Sequence, residues 1–328
     1  MAVAAAGDAE LTRIAFGSCA DQNEPQPIWD AVLAADPELF VFLGDNVYGD
    51  TENMDELRAA YALLDAQPGY AKLKATVPII AIWDDHDYGV NDGGWDYPQK
   101  AASKRIFLDF FGEPADSPRR KHAGVYTAYI YGPNGRRVQV ILPDLRYFRS
   151  TLETQTRSLR MKATHVGPYL PSDGGTYLGS AQWDWLDGVL LEPADLRILA
   201  SSSQVLPEGG AWESWANFPA EKNRLLDSLG RAGGTIIVSG DMHWAELSRF
   251  EAAYPLIELT TSGLTKVWKG VGPNTHRVGA PYLGANFGLI TINWEEQTVR
   301  MEVRDVHGKA RIDTSVAMGD LRAHPVEE

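Results

Sequence analysis

This sequence has a single cysteine, no long apolar run and no surplus of positive charge. A single cysteine, Cys19, cannot form an intrachain disulfide, which excludes a disulfide-stapled secreted scaffold. No run of about 18 apolar residues occurs, so we expect no membrane span. Lys and Arg number 30 against 44 Asp and Glu, and a chain with a net charge of −14 is not expected to carry a nucleic-acid-binding surface. The excess of carboxylates is consistent with ordinary solubility and with metal binding.

Motifs of several other enzyme classes are also missing. The chain has no GxGxxG and no GxxxxGK[ST] loop to cradle phosphates, which argues against a nucleotide cofactor. It has no GxSxG nucleophile elbow. These absences favour metal-assisted hydrolysis. The first ten residues, MAVAAAGDAE, lack a basic region and an apolar core, so we expect no working signal peptide.

Length and linker content predict a single domain. The chain has 328 residues, 44% of them hydrophobic, which is sufficient for a sizeable core. No Pro-, Gly- or Ser-rich linker divides it, so we expect one domain over residues 1–328. Within it we expect an N-terminal tail at 1–11 and a candidate lid loop at 150–180.

Short apolar runs alternate with helical patterns, which predicts a layered α/β fold. We expect strands at 12–18, 38–43, 77–83, 125–131, 137–142, 196–201, 234–239, 256–261, 287–294 and 298–305. We expect helices at 25–36, 53–66, 99–111, 180–191 and 220–231. Ligand sites in open α/β sheets lie beyond the carboxyl ends of strands. The polar residues at five strand ends are therefore expected to converge: Cys19, Asp45, Asp84 to Asp87, Ser201 to Gln204, and Asp241 with His243.

The segment GDNVYGD follows the second predicted strand. A carboxylate on a turn opened by Gly44 can point both oxygens into a site, so Asp45 is a candidate to bridge two metal ions. Tyr48, three residues later, could reach the same ion, and a phenolate suits trivalent iron better than zinc. The alternative is a Gly-Asp turn with a buried tyrosine.

The segment WDDHDYGVND places a cluster of ionisable residues after a wholly apolar strand. Asp85 is a candidate metal ligand. Neighbouring negative charge favours the protonated form of His86, which makes it a candidate general acid, with Asp87 expected to orient it. Asn91 and Asp92 are candidates for additional oxygen ligands. The alternative, an exposed acidic loop, explains one carboxylate better than it explains the cluster.

The segment SGDMHWAE separates Asp241 from His243 by one residue, and in an extended or turn segment both can face one site. The alternative for His243 is a structural core histidine. Cys19 could bind a soft metal as a thiolate, or be a small buried hydrophobic residue. Arg146 and Arg149, in PDLRYFRS, could clamp a phosphate, or form surface salt bridges.

Seven segments taken in order resemble the alkaline phosphatase D (PhoD-like) family of calcineurin-like metallophosphoesterases: FGSC, LGDNVY, WDDHDYG, DLRYFR, LGSAQWDWL, ESWANFP and SGDMHWAEL. The resemblance implies an α/β fold of the four-layer α-β-β-α sandwich type. It also implies one metal site for Fe3+, formed by Cys19, Asp45, Tyr48 and His243. A second site for Ca2+ would share Asp45 and add Asp85 and Asp241, with Gln204 or a neighbour close by. His86 stands at the position of the catalytic histidine.

The sequence thus predicts a metal-dependent phosphoester hydrolase acting on small-molecule phosphate esters. A metal-bridged hydroxide would attack phosphorus while His86, and Arg146 with it, stabilises developing charge or protonates the leaving oxygen. Two alternatives remain open: a phosphodiesterase or phospholipase D-type activity on the same centre, and a non-catalytic metal- or phosphate-binding protein. The resemblance also favours a periplasmic or secreted location, and the sequence leaves the oligomeric state open.

Overall fold

The computed structural model describes residues 4–7, 9–154, 169–172, 174–208 and 212–322. One sheet of six strands contains β2 (Arg13–Gly17), β3 (Leu39–Leu43), β4 (Ile79–Ile82), β14 (Asn286–Asn293), β15 (Thr298–Asp305) and β16 (Ala310–Ala317). A sheet of eight strands contains β1 (Ala4–Gly7), β5 (Thr127–Tyr131), β6 (Val138–Leu142), β9 (Leu196–Ser201), β10 (Thr235–Ser239), β11 (Ala245–Glu251), β12 (Pro255–Thr261) and β13 (Arg277–Tyr282). A short pair contains β7 (Glu153–Thr154) and β8 (Tyr169–Leu170).

The six-stranded sheet has the order β16-β15-β14-β2-β3-β4. Strands β2, β3 and β4 run parallel, while β14, β15 and β16 form antiparallel pairs. Strand β3 has the sequence LFVFL and is buried throughout. A continuous apolar run of this kind is expected of a parallel strand that is covered on both faces.

The eight-stranded sheet has the order β1-β5-β6-β9-β10-β12-β11-β13. Its central strands β6, β9, β10 and β12 are parallel, so their carboxyl ends lie at one edge. Strands β5 and β6, both predicted from the sequence, pair antiparallel on either side of the GPNG turn.

The helices are α1 (Ile28–Ala34), α2 (Met54–Asp65), α3 (Pro68–Thr76), α4 (Asp85–Tyr88), α5 (Lys100–Phe110), α6 (Pro118–Lys121), α7 (Gly179–Leu190) and α8 (Pro219–Ala232), with 3-10 turns at Trp215–Asn217 and Met318–Leu321. One group packs together as α1, α2, α3 and α5, and α7 packs on α8. Strand β12 packs on β14 and β15, and β3 packs on β9, so the two sheets face each other. Two facing sheets with two helix groups match the α/β sandwich that the sequence predicts.

Several elements were not expected from the sequence. Strands β11, β13 and β16 carry charged or exposed residues along much of their length, so no apolar run marks them. The first turn after β4 folds into the short helix α4 inside the acidic cluster. Of the expected lid, the structure describes β7, β8 and their neighbours, while residues 155–168 and 173 lie outside the described residues. Among the described residues every helix is too short or too polar to span a bilayer.

Candidate metal centre and active site

The candidate site lies where strand ends of both sheets meet. Cys19 follows β2 and Asp45 follows β3, while Asp85 opens α4 just after β4. Asp241 follows β10 of the other sheet. A bridge between Ser18 and Ser262 links the end of β2 to the segment after β12. The predicted convergence of strand ends is therefore realised through both sheets.

Left-handed backbone conformations recur among the candidate ligands. The φ angles are 64° at Cys19, 49° at Asp45, 68° at Asp241 and 61° at His243. For residues other than glycine such angles cost roughly 1–3 kcal/mol each and persist when the surrounding structure imposes them. In each case the chain turns sharply at the end of a strand, which directs the side chain into the site.

The first candidate ligand set lies around Tyr48. Its hydroxyl is 3.3 Å from Asp45 Oδ2 and 3.1 Å from His243 Nε2. The Cys19 Sγ atom is 3.4 Å from the same carboxylate oxygen. Donor atoms of Cys19, Asp45 and His243 all lie within 4.8 Å of one another. The structure thus brings together the four side chains that the resemblance assigns to an iron site.

The second candidate set consists of four carboxylates. Oxygens of Asp45, Asp84, Asp85 and Asp241 lie within 4.8 Å of one another, so Asp45 belongs to both sets. Asp84 was not expected as a ligand. Its Oδ1 atom accepts a hydrogen bond of 2.7 Å from the Ser202 hydroxyl.

This cluster has the properties of a cation site. Within the described ranges, Asp45 Oδ1, Asp84 Oδ2 and Asp85 Oδ1 are buried without a hydrogen-bond partner. Burial raises the pKa of Asp45 and of Asp241 well above the ordinary carboxyl value, and nearby negative charges add to the effect. Burial also raises the pKa of Asp84 to about 7, although Arg146 opposes it. Buried carboxylates with orphaned oxygens are compensated by bound cations, so these residues fit a metal centre.

His86 lies at the edge of the cluster with its ring fixed on two sides. Its Nδ1 atom is 2.8 Å from both carboxylate oxygens of Asp50. The ring centroid is 4.3 Å from that of Tyr48. Burial alone would lower the pKa of His86, but the charges of Asp45, Asp85 and Asp50 raise it to about 11.

The prediction that Asp87 orients His86 is corrected by the structure. The Asp87 carboxylate is fully buried and accepts a 2.7 Å hydrogen bond from the Asp84 amide. Its other oxygen accepts from the Asn46 side chain and the Tyr61 hydroxyl. Consecutive residues of a helix point about 100° apart, so Asp87 caps its own helix while Asp50 orients the imidazole.

The prediction that Arg146 clamps a phosphate is also corrected. The side chain is fully buried, 2.6 Å from Asp84 and 2.5 Å from Glu213, with Asp85 at 3.7 Å. Arg149 is likewise buried, and its Nε lies 2.8 Å from the other oxygen of Glu213. Both guanidinium groups neutralise carboxylates beneath the site, so neither is exposed to a phosphate.

Of the remaining candidates, Asn91 and Asp92 line the cavity beside Asp85, and Gln204 does not. The Asp92 amide donates a 2.6 Å hydrogen bond to Asp85 Oδ2, while its carboxylate accepts from Asn91 and Tyr169. The Gln204 side-chain amide donates hydrogen bonds to Glu246 at 2.6 Å and to Thr260 at 3.0 Å, so its nitrogen is held by these two residues.

Two residues of the site, Asp50 and Glu213, were missed by sequence reasoning, while Asp84 was expected at the site but not as a ligand. Asp50 stands inside the GDNVYGD motif, which is a signal that could have singled it out. Glu213 begins the ESWANFP segment, where neither periodicity nor spacing distinguishes it from a surface residue.

A cavity of about 260 Å3 opens onto these groups. Its lining includes the ionisable side chains of Asp85, His86, Asp241 and His243. Three tryptophans, Trp212, Trp244 and Trp268, line the same cavity. A small molecule can therefore reach the candidate ligands and His86 together.

Fold and site together define a metallophosphoesterase. The PhoD-like phosphatase family matches residues 14–276, and the chain belongs to this family. The resemblance expected from the seven segments is thereby confirmed. Membership identifies the chain as a metal-dependent hydrolase of phosphoric esters.

Solved structures agree at the level of the fold. The structure of PhoD matches with a TM-score of 0.75 and 16% identity, covering 97% of this chain and 72% of that chain. A purple acid phosphatase, PPD1 from yellow lupin seeds, matches with a TM-score of 0.65 and 12% identity over 94% of this chain and 54% of its own. GAP50, the anchor in the inner membrane complex of Plasmodium, matches with a TM-score of 0.58 and 11% identity, covering 97% of this chain and 90% of that chain. The search of curated proteins gave no match.

Proposed function

We propose that the chain hydrolyses phosphoric esters at a dinuclear metal centre in which Asp45 is the shared ligand. The observation that carries the proposal is the position of Asp45 in both ligand sets, with donor atoms within 4.8 Å. One ion would be held by Cys19, Asp45, Tyr48 and His243, and the other by Asp45, Asp85 and Asp241, with Asp84 adjoining.

The donor chemistry supports Fe3+ in the first position and Ca2+ in the second. Burial raises the pKa of Tyr48 well above its ordinary value and that of Cys19 to about 12. Both groups must lose their protons to bind, and a highly charged ion close by favours the anions. The second set offers only carboxylate oxygens, which hard cations such as Ca2+ prefer.

When bound, such ions supply Lewis-acid polarisation of phosphoryl oxygens and a water-derived nucleophile near neutral pH. The chain itself supplies a proton. Asp50 holds Nδ1 of His86, so Nε2 is the ring nitrogen left to give a proton to a leaving oxygen in the cavity. Arg146 and Glu213 act through Asp84 as positioning residues, because they fix that carboxylate at the base of the site.

The test is metal content by mass spectrometry together with a visible absorption spectrum and ester hydrolysis. We expect about one iron per chain and a broad visible band that disappears in Tyr48→Phe combined with Cys19→Ser. Asp45→Asn is expected to abolish both metal binding and turnover. Asp36→Asn is the matched control, since Asp36 has a similar φ of 50° but lies on the surface.

The alternative outcomes are distinct. Zinc or manganese without a visible band would contradict iron bound by Cys19 and Tyr48, while leaving a metal-dependent phosphoesterase. A fully active Asp45→Asn protein would contradict the shared-ligand centre. Metal bound without turnover would favour a metal- or phosphate-binding role on this fold.

Hydrolysis of diesters, including phospholipase D-type substrates, is the second candidate. Among the described residues, those lining the cavity include Asp85, Asp92, Asp241 and Glu213 but no Lys or Arg. A monoanionic diester meets less repulsion there than a dianionic monoester does. A panel of matched monoesters and diesters, compared by kcat/KM on the same sample, separates the two activities.

A further inference from the structure

Two exposed tryptophans lie at the mouth of the cavity. Of the ten tryptophans, Trp212 is 43% exposed and Trp268 is 53% exposed, and both line the cavity that contains Asp85 and His86. Trp244, which is 2% exposed, forms an inner part of the same wall. Large apolar side chains exposed together beside a polar site commonly mark a binding surface.

The backbone of Trp268 is anchored by a hydrogen bond, and Trp212 adjoins a residue whose side chain is buried. The amide of Trp268 donates a 2.7 Å hydrogen bond to the carbonyl of His243, a candidate ligand. A Cβ atom at Gly270 would lie 2.4 Å from Trp268 Nε1, so only glycine lets the indole lie against this turn. Trp212 precedes Glu213, whose carboxylate is buried on Arg146 and Arg149. The aromatic wall is therefore joined directly to residues of the catalytic region.

We propose that Trp212 and Trp268 form a subsite for a planar aromatic group on the alcohol portion of the ester, with Trp244 behind them. The substrate class is then aryl or nucleobase-bearing phosphoric esters, an inference that rests on the proposed hydrolase function. Indole faces bind neutral rings by stacking or edge contacts at little cost in side-chain entropy. The cavity volume of about 260 Å3 is slightly below the roughly 300–1,000 Å3 of drug-sized sites, which suits one ring beside a phosphoryl group.

The test compares phenyl and ethyl compounds on six metal-loaded proteins: wild type, Trp212→Ala, Trp268→Ala, Trp212→Phe, Trp268→Phe and Trp95→Ala. Trp95 is the matched control, because it is 54% exposed but lies outside this cavity. KM is measured with phenyl phosphate and ethyl phosphate. Kd is measured by calorimetry with the non-hydrolysable phenylphosphonate and ethylphosphonate, which gives a readout that is independent of turnover. Each compound is compared across variants, so differences in leaving-group reactivity cancel.

We expect Trp212→Ala and Trp268→Ala each to raise the KM for phenyl phosphate and the Kd for phenylphosphonate by about five- to tenfold. This is the effect that the loss of an aromatic pair predicts. The KM and Kd for the ethyl compounds should change less than about twofold. Trp95→Ala should have the same constants as wild type. Trp212→Phe and Trp268→Phe should retain most of the preference for phenyl over ethyl compounds.

Equal losses for phenyl and ethyl compounds, or no loss for either, would overturn the subsite. Failure of the two proposals is distinguishable. If wild type hydrolyses esters without any dependence on these tryptophans, only the subsite is wrong. If it binds phenylphosphonate through them but hydrolyses no ester, the subsite stands and the hydrolase proposal fails.

Discussion

The imidazole Nδ1 of His86 lies 2.8 Å from both carboxylate oxygens of Asp50, a residue 36 positions earlier in the chain. This pair fixes the orientation of the ring, which lines the cavity. An acid held in this way presents one defined proton, on Nε2, to the substrate side.

Asp50→Asn should reduce kcat by about 10- to 100-fold, the usual effect of removing a residue that orients a catalytic or ligating histidine. Asp50 contacts the imidazole and belongs to no candidate ligand group, so metal content and KM should change little. Steady-state kinetics and metal analysis on one sample measure both. Asp55→Asn, a change in an exposed ion pair, is the control. Loss of metal together with activity would contradict a pure positioning role.

Replacing Arg146 by Met should destabilise the folded protein by about 3–5 kcal/mol, since buried carboxylates lose their counter-charge. The guanidinium is fully buried between Asp84 and Glu213. The matched control is Arg58→Met, which breaks an exposed pair with Asp55 and should cost no more than about 1 kcal/mol. Urea unfolding of wild type and both variants measures the free energy of unfolding. Equal decreases for the two variants would contradict the buried network.

Chelation of the metals should lower the thermal midpoint of wild type. Ions that bind the folded state alone stabilise it by mass action, and here they also relieve repulsion among Asp45, Asp84, Asp85 and Asp241. Asp45→Asn should show a much smaller response to the chelator, because the shared ligand is already missing. Differential scanning fluorimetry with and without EDTA measures the shift. An unchanged midpoint in wild type would argue against an occupied centre.

Lys104 gives a pH-dependent contribution to stability that is separate from the site. Burial in α5, opposed by the charge of Asp144 and aided by those of Arg119 and Arg120, lowers the pKa of Lys104 to about 8. The folded protein therefore releases this proton at lower pH than the unfolded chain, whose lysines titrate near 10.4. Folded-state stability should accordingly rise between about pH 8 and about pH 10.4.

The comparison is with Lys104→Met, which lacks this titration. The free energy of unfolding is measured for both proteins from pH 7 to 10.5. It should increase with pH for wild type relative to the variant. Parallel curves for the two proteins would contradict a depressed lysine.

Local signals in the sequence were sufficient for much of the framework. The apolar runs LFVFL and LRILAS are buried strands, and Asp45 follows the first of them as predicted. Acidic and aromatic motifs that follow predicted strands marked Tyr48, Asp85 and Asp241. The structure places these side chains around one site. Each of these predictions depends on residues close together in the chain, where hydrophobic period and turn chemistry act directly.

Only the tertiary structure decided how the charged residues are partnered. Arg146 meets Asp84 across 62 residues and Glu213 across 67, and no local pattern encodes such pairs. Asp87 and Asp50 are both near His86 in sequence or space, but helix geometry turns Asp87 inward and leaves Asp50 to face the ring. The sequence by itself therefore determined the strands and which side chains stand at their ends. The packing of two sheets determined which of those side chains touch, because contact between distant segments depends on burial and charge balance in the whole fold.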